Sequence, residues 1–260
     1  PRSAQAWELT QPDPANANAD FRIRDPFILA DPVTKKYYLY ANAANRTRGV
    51  KGWECYVSDD LKRWESPVMV FTPPEDFWAD ENFWAPEVFY CKDRYWLFGT
   101  VYETGLCRGT QVFVADGPLG PFQPHTDRAI TPHDWFALDA TLFFEDGKPW
   151  TVFCHEWVQI QDGTMEAAPL SEDLKTLADE PKTLFKASDA LWKRNGNGKN
   201  FVTDGPCLYR HACGDLLMLW SSFGKGDYTV GIARSRSGKI LGPWTQDPEP
   251  LYENGGHCMI

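Results

Sequence analysis

The 260-residue sequence predicts an all-β fold: a five-bladed β-propeller whose fifth blade is incomplete. Three observations lead there. A short landmark recurs about every sixty residues. Each copy is followed by apolar and aromatic runs paired around Asp- and Gly-rich turns. No stretch carries a long helical apolar period, so helices do not organise the chain.

The landmark opens a strand. It reads Asp25-Pro26-Phe27-Ile28-Leu29, then Ala85-Pro86-Glu87-Val88, Asp139-Ala140-Thr141-Leu142 and Asp204-Gly205-Pro206-Cys207. A last copy, Gly255-Gly256-His257-Cys258, begins a unit that is not completed. A second strand follows each turn: Lys36 to Tyr40 after Asp31-Pro32, and Arg94 to Phe98 after Lys92-Asp93. The later units repeat it as Trp150 to Phe153 after Asp146-Gly147, and Leu216 to Trp220 after Gly214-Asp215. A third strand and turn close each unit, as in Tyr56 to Trp64, Phe113 to Phe122, Pro169 to Lys175 and Ile232 to Trp244. Four strands per radial unit is the pattern of a propeller blade. Residues 1–20 are polar and rich in Pro, Ala and Asn and read as an N-terminal extension. Residues 21–260 read as one propeller domain, a partial stretch of a longer protein.

Composition narrows the partners. With 26 basic against 36 acidic residues the net charge is -10, which argues against a nucleic-acid backbone. Apolar residues at 43% and charged residues at 24% describe an ordinary globular chain. No apolar run reaches membrane-spanning length and no signal peptide is visible. Cytoplasm and periplasm or exterior both stay open, and the oligomeric state is not readable. The seven Cys make no CxxC pair and no zinc-like spacing with the five His. The aromatic load, 12 Trp, 10 Tyr and 16 Phe, suits rings that stack on the apolar faces of sugars.

In a propeller the first residues of the innermost strands meet at one rim of the central channel. Asp25, Asp139 and Asp204 open such strands in three different units. Glu156, at the end of a second strand, is expected at the same rim, with His155 and Trp157 beside it. Asp before Pro or Gly is also an ordinary turn residue. Recurrence at one blade position is what favours chemistry. Cutting a glycosidic bond needs one carboxylate to activate water and one protonated acid for the leaving oxygen.

Four motifs in order, Arg24-Asp25-Pro26-Phe27, Phe83-Trp84-Ala85-Pro86-Glu87-Val88, Leu138-Asp139-Ala140-Thr141 and Asp204-Gly205-Pro206, resemble glycoside hydrolase family 43. That family contains arabinofuranosidases, xylosidases and arabinanases. The resemblance covers residues 22–260. It implies an inverting hydrolase in which Asp25 is the general base and Asp139 raises the acid's pKa and orients it. The family's general acid is a Glu before Gly-Pro; here Asp204 stands there, one methylene shorter. Asp204 or Glu156 is therefore expected to be the acid, with Glu87 a lesser candidate. Trp84, Trp135, Trp157, His155 and Phe27 are candidates for contacting substrate. The resemblance also implies a His facing the channel near a central calcium or water. His257 would be that residue, and any calcium would be structural, with no cofactor required.

The expected substrate is an arabinose- or xylose-containing oligo- or polysaccharide of plant type. A related galactan- or fructan-cleaving enzyme is one alternative. A catalytically silent carbohydrate-binding propeller is another, and the Asp in place of Glu is its best support. A protein-binding propeller fits less well, because no tight WD- or kelch-like repeat is present. Residues 188–203, which include Trp192, are expected to form either a mobile lid or plain surface.

Overall fold

The computed structural model describes residues 23–194, 200–225 and 227–260. The expected extension, residues 1–20, lies outside them. The described chain forms four antiparallel sheets, each a four-strand meander in chain order. The first contains β1 (Phe27–Ala30), β2 (Tyr37–Asn42), β3 (Trp53–Ser58) and β4 (Val68–Phe71). The second contains β5 (Glu81–Cys91), β6 (Arg94–Tyr102), β7 (Gly109–Ala115) and β8 (Gln123–Pro124). The third contains β9 (Ala137–Glu145), β10 (Lys148–His155), β11 (Thr164–Pro169) and β12 (Lys182–Lys186). The fourth contains β13 (Asp204–Arg210), β14 (Leu216–Phe223), β15 (Tyr228–Ser235) and β16 (Trp244–Gln246), and β17 (Tyr252–Glu253) also pairs with β15. The α-helix among the described residues is a single turn, α1 (Trp157–Ile160). These are four propeller blades.

The hairpin turns fall where the sequence put them. Lys92 and Asp93 have φ of 53° and 56°, and Asp146 and Gly147 have φ of 52° and 77°. Two left-handed residues in a two-residue loop match the twist of the strands they join.

The second strands of the inner blades lie between two neighbours, and those of the end blades are also largely buried. That is why these strands read as unbroken apolar runs and do not alternate: β6 is buried from Tyr95 to Val101 and β14 from Leu216 to Ser222. The outermost strands are only two to five residues long, and a short edge offers little template for further pairing.

Three apolar cores glue the four blades in sequence. Between the first and second, Trp53 packs on Phe71, Phe83 and Phe113 with ring centroids 5.3, 5.5 and 5.1 Å apart. Between the second and third, Phe98, Ile130, Leu142 and Phe153 meet. Between the third and fourth, Trp220 packs on Trp192 at 5.1 Å and on Phe185 at 5.3 Å. Burying each such ring contributes about 2–3 kcal/mol. Trp192 therefore belongs to a core, contrary to its expected place in a lid or surface loop. It is 5% exposed and lies against Gly231, where a side chain would collide with it.

Candidate active site

The inner strands share one backbone device. Asp25, Ala85, Asp139 and Gly205 have φ of 51°, 38°, 56° and 51°. His257 repeats the value at 53°. A left-handed residue breaks the pleat, and the strand pairing is irregular around Trp84, between Asp204 and Cys207, and opposite Asp139. Apart from glycine, Asp and His are among the residues that enter this region most readily; each strained position still costs on the order of 1 kcal/mol. The cost is covered by ties from the preceding blade. Asp139 N donates to Thr100 Oγ1 at 3.0 Å, and His257 N donates to Ser221 Oγ at 2.7 Å.

This device brings two sets of residues to one mouth. The kinked residues Asp25, Asp139 and His257 line a cavity of about 400 Å³ together with the residues just before the kinks, Arg24, Trp84, Leu138 and Asp204. Asn42, Asn45, Phe223 and Tyr228 complete the wall. Asp204 thus stands one residue ahead of the register that Asp25 and Asp139 occupy, and Gly205 takes the kink. A Cβ at residue 205 would lie 2.8 Å from the His257 ring. Glycine is required there by contact as well as by φ.

The carboxylates face one another with few counter-charges. His257 Nδ1 lies 3.5 Å from Asp25 Oδ1 and 3.7 Å from Asp139 Oδ2. Gly205 N donates to Asp139 Oδ2 at 3.0 Å, and Tyr228 OH donates to Asp204 Oδ2 at 3.0 Å. Withdrawal from water, and next the charge of Asp25, push the Asp139 carboxyl well above the ordinary carboxylate range. Withdrawal from water and the neighbouring Asp139 push Asp204 up to about 8, against the Tyr228 hydrogen bond and His257. Burial first, and the neighbouring carboxylate next, therefore favour the protonated form of Asp204. Below the mouth, Glu87 is buried, bonded to the Thr141 hydroxyl, and pushed up to about 8 chiefly by burial.

Glu156 is placed differently. It does not line the cavity. Arg108 Nε lies 3.1 Å from its Oε2. The Arg108 guanidinium in turn sits over the rings of Trp84, Tyr102 and Phe136, at 5.0, 5.6 and 5.4 Å. Trp84 thus lines the cavity and is braced by a cation. Trp135 stacks on His155 with centroids 4.1 Å apart, and His155 shares a hydrogen bond with Gln159 at 2.8 Å. That pair, and Trp157 at the start of α1, do not line the cavity. Phe27 packs on Phe89 at 5.4 Å, within the core between the first two blades. Sequence reasoning did not single out Tyr228, Arg108 or Asn45. Each becomes a site residue only through a partner distant in the chain.

Among the described residues no group of three or more His, Cys, Asp or Glu side chains is arranged to hold a metal ion. Calcium prefers oxygen ligands. The carboxylate oxygens beside His257 Nδ1 are those of Asp25 and Asp139, two single oxygens at 3.5 and 3.7 Å. This donor set does not fit a calcium cage built of side chains.

The model of the glycosyl hydrolases family 43 matches residues 16–255. No curated protein matches the chain. Among solved structures, an endo-arabinase from Bacteroides thetaiotaomicron is 43% identical, with a TM-score of 0.87 over 93% of this chain and 86% of that one. An endo-1,4-beta-xylanase from the same organism is 27% identical, with a TM-score of 0.73 over 91% and 79%. An alpha-L-arabinofuranosidase from Lactobacillus brevis is 21% identical, with a TM-score of 0.73 over 91% and 76%, a likeness of fold. Three carboxylates gathered at a propeller mouth, and a family match across nearly the whole chain, place this protein in glycoside hydrolase family 43, among the inverting glycoside hydrolases.

Proposed function

We propose that the chain hydrolyses arabinofuranosyl or xylosyl linkages in plant-type oligo- or polysaccharides by a single displacement. The observation that carries this is the convergence of Asp25, Asp139 and Asp204 on one cavity. In one step, Asp25 takes a proton from water as the water oxygen attacks the anomeric carbon. The bond to the leaving oxygen breaks as Asp204 delivers its proton there. Asp139 keeps Asp204 protonated through its proximity. Glu156, held by Arg108, is not the acid; its role is to fix Arg108 behind Trp84, which stacks against the sugar. Arabinose is the first choice of sugar, because the endo-arabinase shares 43% identity with this chain, against 27% for the xylanase.

We further infer that the ring is five-fold, with Gly255–Ile260 in the place of a fifth inner strand. His257 repeats the left-handed kink of the other four units. Met259 Sδ accepts from Ile28 N at 2.9 Å, beside the first blade. The outer face of that blade carries a further apolar cluster of Leu39, Ala41 and Tyr56.

The test is hydrolysis of aryl arabinofuranoside, aryl xyloside and the corresponding oligosaccharides, with the anomeric configuration of the first product followed by NMR. Turnover with inverted product is expected. Sugar binding without turnover on any of these would leave a silent binding propeller. Turnover of galactan or fructan alone would assign the related specificity.

A further inference from the structure

We propose that Tyr228, clamped by the glycine pair Gly255–Gly256, positions the Asp204 carboxyl for proton donation. This rests on Asp204 being the acid. An Asp has less reach than a Glu, so its carboxyl must be aimed more tightly. Tyr228 opens β15 opposite Phe223, at the rim. Its hydroxyl donates to Asp204 Oδ2 at 3.0 Å, which engages one oxygen and leaves the other for the leaving group. Burial above all holds the phenol well above its ordinary pKa, so it remains a donor.

Tyr228 is held from several sides. The Phe223 ring lies 5.5 Å away. Gly255 N donates to Tyr228 O at 2.8 Å. Gly256 passes so close to the phenol that a Cβ would overlap its ring atoms. A Cβ at Gly255 would lie 2.8 Å from the Tyr252 ring, and Tyr252 pairs with Val230 of the same strand as Tyr228. Two consecutive glycines are therefore what lets the chain cross over Tyr228 on its way to His257. The segment that delivers His257 to Asp25 and Asp139 also fixes the group that aims Asp204. One piece of backbone sets both sides of the reaction.

The experiment compares wild type with Asp204→Asn, Tyr228→Phe and Gly256→Ala. It measures kcat/KM on whichever aryl glycoside, arabinofuranoside or xyloside, the wild type turns over, and on an oligosaccharide of the same sugar. Melting temperatures are recorded alongside. A placed acid supplies roughly 10²–10⁴-fold, and only for a leaving group that needs its proton. Tyr228→Phe is expected to lose roughly tenfold on the oligosaccharide and less than about threefold on the aryl substrate. Gly256→Ala should skew the ratio the same way. Equal loss on both substrates in Tyr228→Phe, or no loss on either, overturns the positioning role. If Asp204→Asn itself loses both substrates equally, the assignment of Asp204 as acid is what fails, whatever Tyr228→Phe does.

Discussion

On the side of the mouth built by β9, β13 and the Gly255–Ile260 segment, carboxylates face each other. On the side built by β5, β7 and β10, the carboxylate of Glu156 faces a guanidinium. Both sides withdraw acids from water. In the first, a backbone N–H, a phenol and one imidazole offset the cost. In the second, a full positive charge opposes it, itself wrapped by three rings. Two unit charges about 4 Å apart interact by roughly 4 kcal/mol in a protein-like dielectric, so the neighbour adds to the effect of burial on the first side and opposes it on the second. Like charges keep a proton on one acid and make it a reagent. On the other side the guanidinium works against burial, which still leaves the Glu156 carboxyl raised, and it holds that acid in an ion pair.

Breaking the reactive side should cost most. Asp25→Asn removes the base, and kcat is expected to fall by roughly 10³-fold on aryl and oligosaccharide substrates alike, as read from initial rates. Asp204→Asn should cost roughly 10²-fold or more on oligosaccharide and far less on aryl glycoside. Breaking the ion pair should act on stability first. Glu156→Gln leaves Arg108 without its counter-charge and is expected to cost about 3 kcal/mol in denaturant unfolding, with the aryl-to-oligosaccharide ratio unchanged. A Glu156→Gln variant that keeps aryl activity but loses the oligosaccharide would make Glu156 the acid instead. Trp84→Ala should raise the oligosaccharide KM roughly tenfold with a smaller change in kcat, the signature of lost binding.

The smallest effect concerns pH. Asp204 must be protonated to donate, and it is pushed up to about 8, first by burial and then by Asp139. Activity on oligosaccharide should fall as pH rises through about 8. Glu87 is also pushed up to about 8, chiefly by burial. Burial favours its uncharged form, of which the amide is a close mimic. Glu87→Gln should therefore leave this alkaline limb in place, and a limb that disappeared would reassign it to Glu87.

Much of this was legible in the chain. The hairpins at Lys92-Asp93 and Asp146-Gly147 announce themselves, because few residues tolerate two left-handed positions in a row. Asp25 and Asp139 are visible as repeats of one position. Asp204 is visible too, but its one-residue offset is not, since only the backbone shows that Gly205 takes the kink. Glu156 reads as a rim acid until Arg108, 48 residues away, is found beside it. Trp192 reads as a surface residue because the stretch that follows it, Lys193 to Asn200, is polar and rich in Gly and Asn, while its partners Trp220 and Gly231 belong to the next blade. Local turn chemistry is written in adjacent residues; the pairing of charges across blades is not.

The left-handed opening of each inner strand has a consequence for how such a site can arise. The fold asks for a residue that tolerates the kink, and aspartate satisfies that demand on conformational grounds alone. A carboxylate can thus occupy the channel mouth before it has any chemistry to perform. Ala85 and Gly205 occupy equivalent openings without one. The scaffold holds five left-handed openings, or sockets, at residues 25, 85, 139, 205 and 257, and reactivity depends on which of them, or of the residues just before them, carry acids and what stands next to each. Changing the reaction need not mean changing the fold, only reassigning the sockets.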